Sequence, residues 1–188
     1  AIVVAESREQ ALQAAECLVV EYEEYSAVTG LLEATEPAAP LLCSDLPDNI
    51  AAFETLGDQQ EVKEIFSNAH HVTRMELINN RLVGSPLEPR GLICDIDLND
   101  GKLILHASHQ SATRLHGFLC SIFKFKPEQL RVKVGDLGGG FGTKVAIYPE
   151  DILVVYAAKK LNRPIKWTAT RTEEFQASVH GRDHMNVA

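Results

Sequence analysis

Apolar positions along this chain change their spacing several times, and each change marks a different element. Two runs rich in Leu and Ile, residues 92–98 and 102–107, flank Asn99-Asp100-Gly101, a turn signal that predicts an antiparallel hairpin. Leu115, Phe118, Leu119, Ile122 and Phe123 then recur at three- and four-residue intervals. That spacing predicts a helix with one apolar face, capped at Ser111 and closed before Pro127. Leu130, Val132 and Val134 return to the two-residue period of a strand. From Pro149 the spacing is helical again. Ile152, Val155, Tyr156, Ala157 and Ala158 predict its buried face, Glu150 and Asp151 suit the positive end of its dipole, and Lys159 and Lys160 the other end, before Asn162 stops it. Residues 164–170 read as an edge strand carrying Trp167. Residues 180–184 are polar, Arg182 and Asp183 are placed to pair, and the last residues begin another strand.

Earlier in the chain the pattern is thinner. Residues 2–5 form a compact β-type run, Ser7 with Gln10 three positions on signals an N-cap, residues 11–17 are strong helix formers, and residues 18–22 read as strand. A strand, a helix and a strand in so few residues cannot enclose a core, so further chain before Ala1 is expected. Residues 36–58 hold Pro37, Pro40 and Pro47 and follow neither period, the pattern of a surface linker. Order resumes at residues 62–69, and residues 71–78 alternate like a half-buried strand until Asn79-Asn80-Arg81 and Gly84-Ser85-Pro86 break it. The expected class is α+β, with mixed sheets and packed helices.

Composition narrows the partners. With 45% hydrophobic and 23% charged residues the chain has the proportions of a globular protein. A net charge of -8 argues against nucleic acid and anionic membrane, both of which need a basic face. No apolar run approaches the roughly 20 residues of a membrane span, and residues 1–15 hold no signal-peptide core. Cys17, Cys43, Cys94 and Cys120 are widely spaced without a Cys-x-x-Cys pair, which reads as buried thiols in a reducing, cytoplasmic compartment. His70, His71, His106, His109 and His116 lack companion carboxylates at ligand spacing and read as core or surface side chains.

The densest chemistry lies in residues 134–148, Val-Gly-Asp-Leu-Gly-Gly-Gly-Phe-Gly-Thr-Lys-Val-Ala-Ile-Tyr. Its glycines permit positive φ angles and let a ligand approach the main chain more closely than a Cβ would allow. Between a strand and a helix, bare amides of this kind suit an anionic or strongly polar ligand. A Walker A loop is ruled out because Lys144 sits between Thr143 and Val145. A dinucleotide fingerprint is ruled out because no register of Gly135, Gly138, Gly139, Gly140 and Gly142 supplies glycine offsets of two and then three. The competing reading is a turn that merely permits close packing around a buried Phe141. Gln110, at a strand end before a helix, is on pattern either an exposed turn residue or an amide aimed into a cleft.

Gly138-Gly139-Gly140-Phe141-Gly142-Thr143-Lys144 is followed by Tyr148-Pro149-Glu150, Arg163-Pro164-Ile165-Lys166-Trp167 and Arg171-Thr172-Glu173-Glu174-Phe175. This order resembles the molybdopterin-binding large subunit of the molybdenum hydroxylases. That family contains xanthine dehydrogenase, aldehyde oxidase and the carbon monoxide dehydrogenase type, the last being the closer match. Val20-Glu21-Tyr22-Glu23 is similar to the end of the family's small hammerhead domain, and Arg81 with Glu88-Pro89-Arg90 to a stretch that precedes an antiparallel strand. The resemblance implies three segments: residues 1–36 as the C-terminal part of a hammerhead-like α/β domain, 37–59 as a linker, and 60–188 as the N-terminal part of a molybdopterin-binding domain.

It also implies a cofactor, molybdenum held by molybdopterin, with Gln110, Gly139, Gly140, Phe141 and Gly142 as contacts and Gln110 and Phe141 nearest the molybdenum. The reaction implied is hydroxylation of an aldehyde or N-heterocycle with water as oxygen source. Iron–sulfur clusters and FAD would be carried by partner subunits or domains. No catalytic residue is assigned, because the family's base is a glutamate near the C-terminal end of a much longer subunit, and the chain alone is expected to be inactive. Val145 stands where the purine-hydroxylating branch has a glutamate, which argues against a purine substrate, and the cysteine needed for carbon monoxide oxidation belongs to a loop outside these residues. The expected partners are the remainder of the large subunit, iron–sulfur and flavin subunits, and a second copy in a homodimer. The reading from another class is a non-catalytic interaction or anion-binding module, which cofactor content and co-purification would distinguish.

Overall fold

In the computed structural model, which describes residues 1–188, the elements are α1 (Arg8–Glu16), α2 (Gln59–Asn68), β1 (Glu76–Asn79), β2 (Leu82–Val83), β3 (Gly91–Ile96), β4 (Leu103–Ala107), α3 (Ala112–Phe123), β5 (Leu130–Lys133), α4 (Pro149–Leu161), β6 (Ile165–Thr168), α5 (Arg171–Ala177), β7 (His180–Gly181) and β8 (His184–Val187). They fall into two units, one of Ala1–Val19 with Leu82–Gly181 and the other of Val20–Arg81 with Arg182–Ala188.

The first unit is built on a four-stranded mixed sheet in the order β5-β4-β3-β6. The β3–β4 hairpin forms as the turn signal requires, with Gly101 at φ +72° and its N–H donating to Asp97. β6 joins β3 antiparallel as an edge strand, and β5 returns parallel to β4 after α3. Alternation places Leu92 and Cys94 of β3 and Leu103, Leu105 and Ala107 of β4 on one face, where Leu115 and Leu119 of α3 and Val154, Val155 and Ala158 of α4 close a single core. The Cys94 thiol lies inside it and is pushed up to about 12, first by burial and then by the nearby Asp95 charge. Ser111 caps α3 through a bond from the Arg114 N–H, and Lys124 at φ +55° ends it. A second small ladder pairs β2 with β7.

In the second unit, α2 is capped by Asp58, whose carboxylate accepts the N–H groups of Gln60 and Glu61, and β1 pairs antiparallel with β8. The strand expected at residues 71–78 is regular only from Glu76, and its side chains are exposed rather than half-buried. Asp183 pairs with Arg81 at 2.7 Å, not with Arg182.

Other expectations need correction. No strand forms at residues 2–5 or 18–22, because neither run lies along a pairing edge, although α1 between them is capped by Ser7 as expected. Cys17 and Cys43 are exposed thiols, leaving only Cys94 fully buried. On α3, Phe118 and Ile122 are exposed, and on α4 the inward row is Asp151, Val154, Val155 and Ala158 while Tyr156 is exposed. A stripe spaced by three and four fixes a face only to within one residue, and the sheet selects which members it covers.

Candidate functional site

The glycine loop leaves β5 and ends in a 3-10 turn, Thr143–Val145, before α4. It rests on the irregular segment from Gly84 to Arg90, which links β2 to β3. Glu88 is the main support: its Oε2 accepts bonds from the Gly138 N–H at 2.9 Å, the Ser108 hydroxyl at 3.0 Å and the Lys144 ammonium at 2.8 Å. The Glu88 N–H in turn donates to the Gly138 carbonyl. A Cβ on Gly138 would lie 2.5 Å from the Glu88 Cβ, so only glycine lets the two backbones meet. Burial alone would raise the Glu88 carboxyl, but the bonds from Lys144, Gly138 and Ser108 outweigh it and hold it below its ordinary value. Arg171 fixes the same support by donating to the carbonyls of Pro86 and Leu87, both at 2.7 Å.

Gln110 braces the loop from the other side. Its Oε1 accepts the N–H groups of Gly142 at 3.1 Å and Lys144 at 3.2 Å, while its own N–H donates to the Lys144 carbonyl. With the carbonyl oxygen fixed inward, the amide nitrogen is the end left without a protein partner on an exposed side chain. Gly140 packs directly on it, where a Cβ would fall 2.5 Å from the Gln110 Cδ. Gly139, Phe141 and Gly142 all have positive φ, at +98°, +49° and +86°. For Phe141 that conformation costs on the order of 1–2 kcal/mol, a strain the surrounding bonds must hold. Among the loop amides, those of Gly138, Gly142, Thr143 and Lys144 are bonded, whereas those of Gly139, Gly140 and Phe141 donate to nothing in the chain.

Beneath the loop lies a buried polar layer. Arg90 stacks over the Tyr148 ring at 3.8 Å, bonds Glu150 at 3.2 Å and donates its backbone N–H to the Glu174 carboxylate at 2.9 Å. The Tyr148 hydroxyl donates to the Thr143 carbonyl and accepts the Val179 N–H. His109 accepts the Ser111 N–H at Nδ1, which puts the ring proton on Nε2, facing the Ala146 carbonyl at 3.3 Å. Asp151 accepts the Tyr148 N–H and is raised, first by burial. No group of three or more His, Cys, Asp or Glu side chains stands at metal-binding spacing.

The structure thus brings Gln110, Gly140 and Gly142 into direct contact, with Gly139 and Phe141 beside them in the same bend. Phe141 is not buried: it is 76% exposed, and Lys144 takes the interior position. Sequence reasoning missed Glu88, Ser108, Lys144, Tyr148 and Glu174 as parts of the support. The one local signal was Glu88-Pro89-Arg90, two charges around a proline ahead of a buried strand.

A loop of bare amides braced by one carboxamide has the chemistry that suits a polar, anion-bearing ligand. The chain belongs to the molybdenum hydroxylase large-subunit family: the profile of its molybdopterin cofactor-binding domain matches residues 43–187. Two relatives are the carbon monoxide dehydrogenase large chain of Hydrogenophaga pseudoflava, 29% identical over 98% of this chain and 24% of the relative, and the nicotine 6-hydroxylase large subunit of Paenarthrobacter nicotinovorans, 32% identical over 97% and 22%. The structure of the reconstituted CO dehydrogenase from Oligotropha carboxidovorans superposes with a TM-score of 0.86 at 28% identity, over 95% of this chain and 24% of that one. The α+β fold expected from sequence is the fold of that part of the family. The chain spans about a quarter of the length of these relatives. Their names make the two relatives a large chain and a large subunit, and no helix here is long and apolar enough to cross a membrane.

Proposed function

We propose that this chain forms part of the molybdopterin site of an oxidoreductase that hydroxylates an aldehyde or an N-heterocycle with water as oxygen source. The observation that carries the reading is a set of uncommitted donors on a braced loop: the N–H groups of Gly139, Gly140 and Phe141 and the amide nitrogen of Gln110 have no partner within the chain. These residues fit the cofactor's chemistry. The backbone amides of Gly139, Gly140 and Phe141 would hold its polar atoms, Gly142 supplies the bend, Gln110 would donate to an oxygen on the metal, and the exposed Phe141 ring would lie against it. When bound, the molybdenum–pterin group supplies two-electron redox chemistry at an electron-poor carbon. The chain's own contribution is orientation by donors already fixed before the ligand arrives.

The same proposal takes residues 1–36 as the end of a hammerhead domain, 37–59 as a linker and 60–188 as the first part of the cofactor-binding domain. A cytoplasmic homodimer of the large subunit, with iron–sulfur and flavin subunits as electron acceptors, completes it. Val145, apolar and half-buried after Lys144, favours a non-purine ring. A relative that its name makes a hydroxylase of nicotine supports the N-heterocycle. Phe141→Asp in the complete enzyme tests the loop. Elemental analysis is expected to find at least a tenfold loss of molybdenum, with the β3–β4 hairpin intact by amide exchange. Unchanged molybdenum would refute the role given to the loop.

A second reading, a non-catalytic or anion-binding module, is favoured by the exposure of Leu87 at 92%, Leu98 at 97% and Phe53 at 87%. A chain that co-purifies with a partner but never carries pterin would select it.

A further inference from the structure

Arg90 is unevenly satisfied. Its side chain is 6% exposed, Nη1 bonds Glu150, and Nε lies 3.5 Å from a Glu174 oxygen, close enough for charge attraction but without hydrogen-bond geometry. Nη2 is buried and has no partner at all. A buried donor on a charged group, left unbonded, is among the costlier defects a fold can carry. Arg90 also lines a cavity of about 10 Å³ together with Ser108, His109, Lys144, Tyr148 and Asp151. That volume is the room one water needs, and far below what an organic ligand needs.

The lining offers complementary groups. Ser108 donates its hydroxyl proton to Glu88 and keeps oxygen lone pairs free. Asp151 gives Oδ2 to the Tyr148 N–H and keeps its other oxygen. We propose that this cavity is a built site for one structural water, which accepts from Arg90 Nη2 and hydrogen-bonds to Ser108 and Asp151. A small anion is the wrong guest, because the two cations of the lining are already matched, Arg90 by Glu150 and Glu174 and Lys144 by Glu88, and the lining adds the carboxyl of Asp151. The water adds a second link between two networks that the Tyr148 hydroxyl already joins through the Thr143 carbonyl: the Arg90 stack on Tyr148, and the Ser108–Glu88–Lys144 support of the glycine loop. Nothing in this inference depends on which cofactor the loop binds.

The test is a crystal structure of the complete enzyme at atomic resolution, with a second data set from a bromide-soaked crystal. The expected result is one isolated density peak at hydrogen-bonding distance, about 2.7–3.2 Å, from Arg90 Nη2 and from at least one of Ser108 Oγ and the Asp151 carboxylate, with no anomalous signal after bromide. An empty cavity, a direct protein bond to Nη2, or a bromide peak in the cavity would overturn it. The peak is read whether or not the crystal contains molybdenum, so this outcome and that of the cofactor reading are separable.

Discussion

Lys144 has no exposed side-chain surface, whereas its partner Glu88 keeps 41% of its own. That asymmetry decides which deletion costs more. Removing the acid strands a buried ammonium, while removing the base leaves a carboxylate that water can reach. Glu88→Gln is therefore expected to destabilise the chain by about 1.5–3 kcal/mol and Lys144→Met by less than about 1.5 kcal/mol, read from denaturant midpoints. Equal losses would contradict the pairing. The same carboxylate sets a pH response. Its folded value lies below the ordinary 4.5, so its stabilisation is present above that value and is lost as pH falls through the folded one. Asp151, which is raised, works in the opposite sense and gains as pH falls. Glu88→Gln should flatten the acid limb of the stability–pH curve relative to wild type, and an unchanged limb would show that Glu88 is not the group responsible.

At the scale of elements, two glycines separate conformational need from chance. Gly138 meets the Glu88 backbone, so Gly138→Ala should cost about 1–3 kcal/mol. Gly117 lies within α3 with nothing within 4 Å of its missing Cβ, so Gly117→Ala should stabilise by about 0.5–1 kcal/mol. Thermal unfolding of both variants checks the pair. The contrast also shows what the sequence could disclose. The β3–β4 hairpin, the Ser7 and Ser111 caps and the start of α4 depend on neighbours a few residues apart and were legible. Glu88 reaching Gly138 across 50 residues, and Lys144 rather than Phe141 turning inward, depend on how the loop folds over its support, which no local pattern encodes. Periodicity likewise placed α4 correctly but chose Tyr156 for a face that Val154 occupies.

For the whole molecule, the cofactor contacts proposed for Gln110 and the glycine loop come from motif order rather than from spacing, and the geometry adds a reason why that order would matter. Gln110 sits 34 residues before Lys144 yet closes the loop's two inner amides, which turns its nitrogen outward. Gln110→Glu keeps an oxygen for both inner amides and changes the outward group from donor to acceptor. It is the substitution that alters the ligand face while sparing the brace. The measurement is molybdenum and pterin per polypeptide in the complete enzyme carrying Gln110→Glu, alongside its thermal midpoint. At least a tenfold loss of cofactor with the midpoint unchanged is the predicted result. Full cofactor content at that same midpoint would contradict the assignment of this loop and Gln110 to the molybdopterin site.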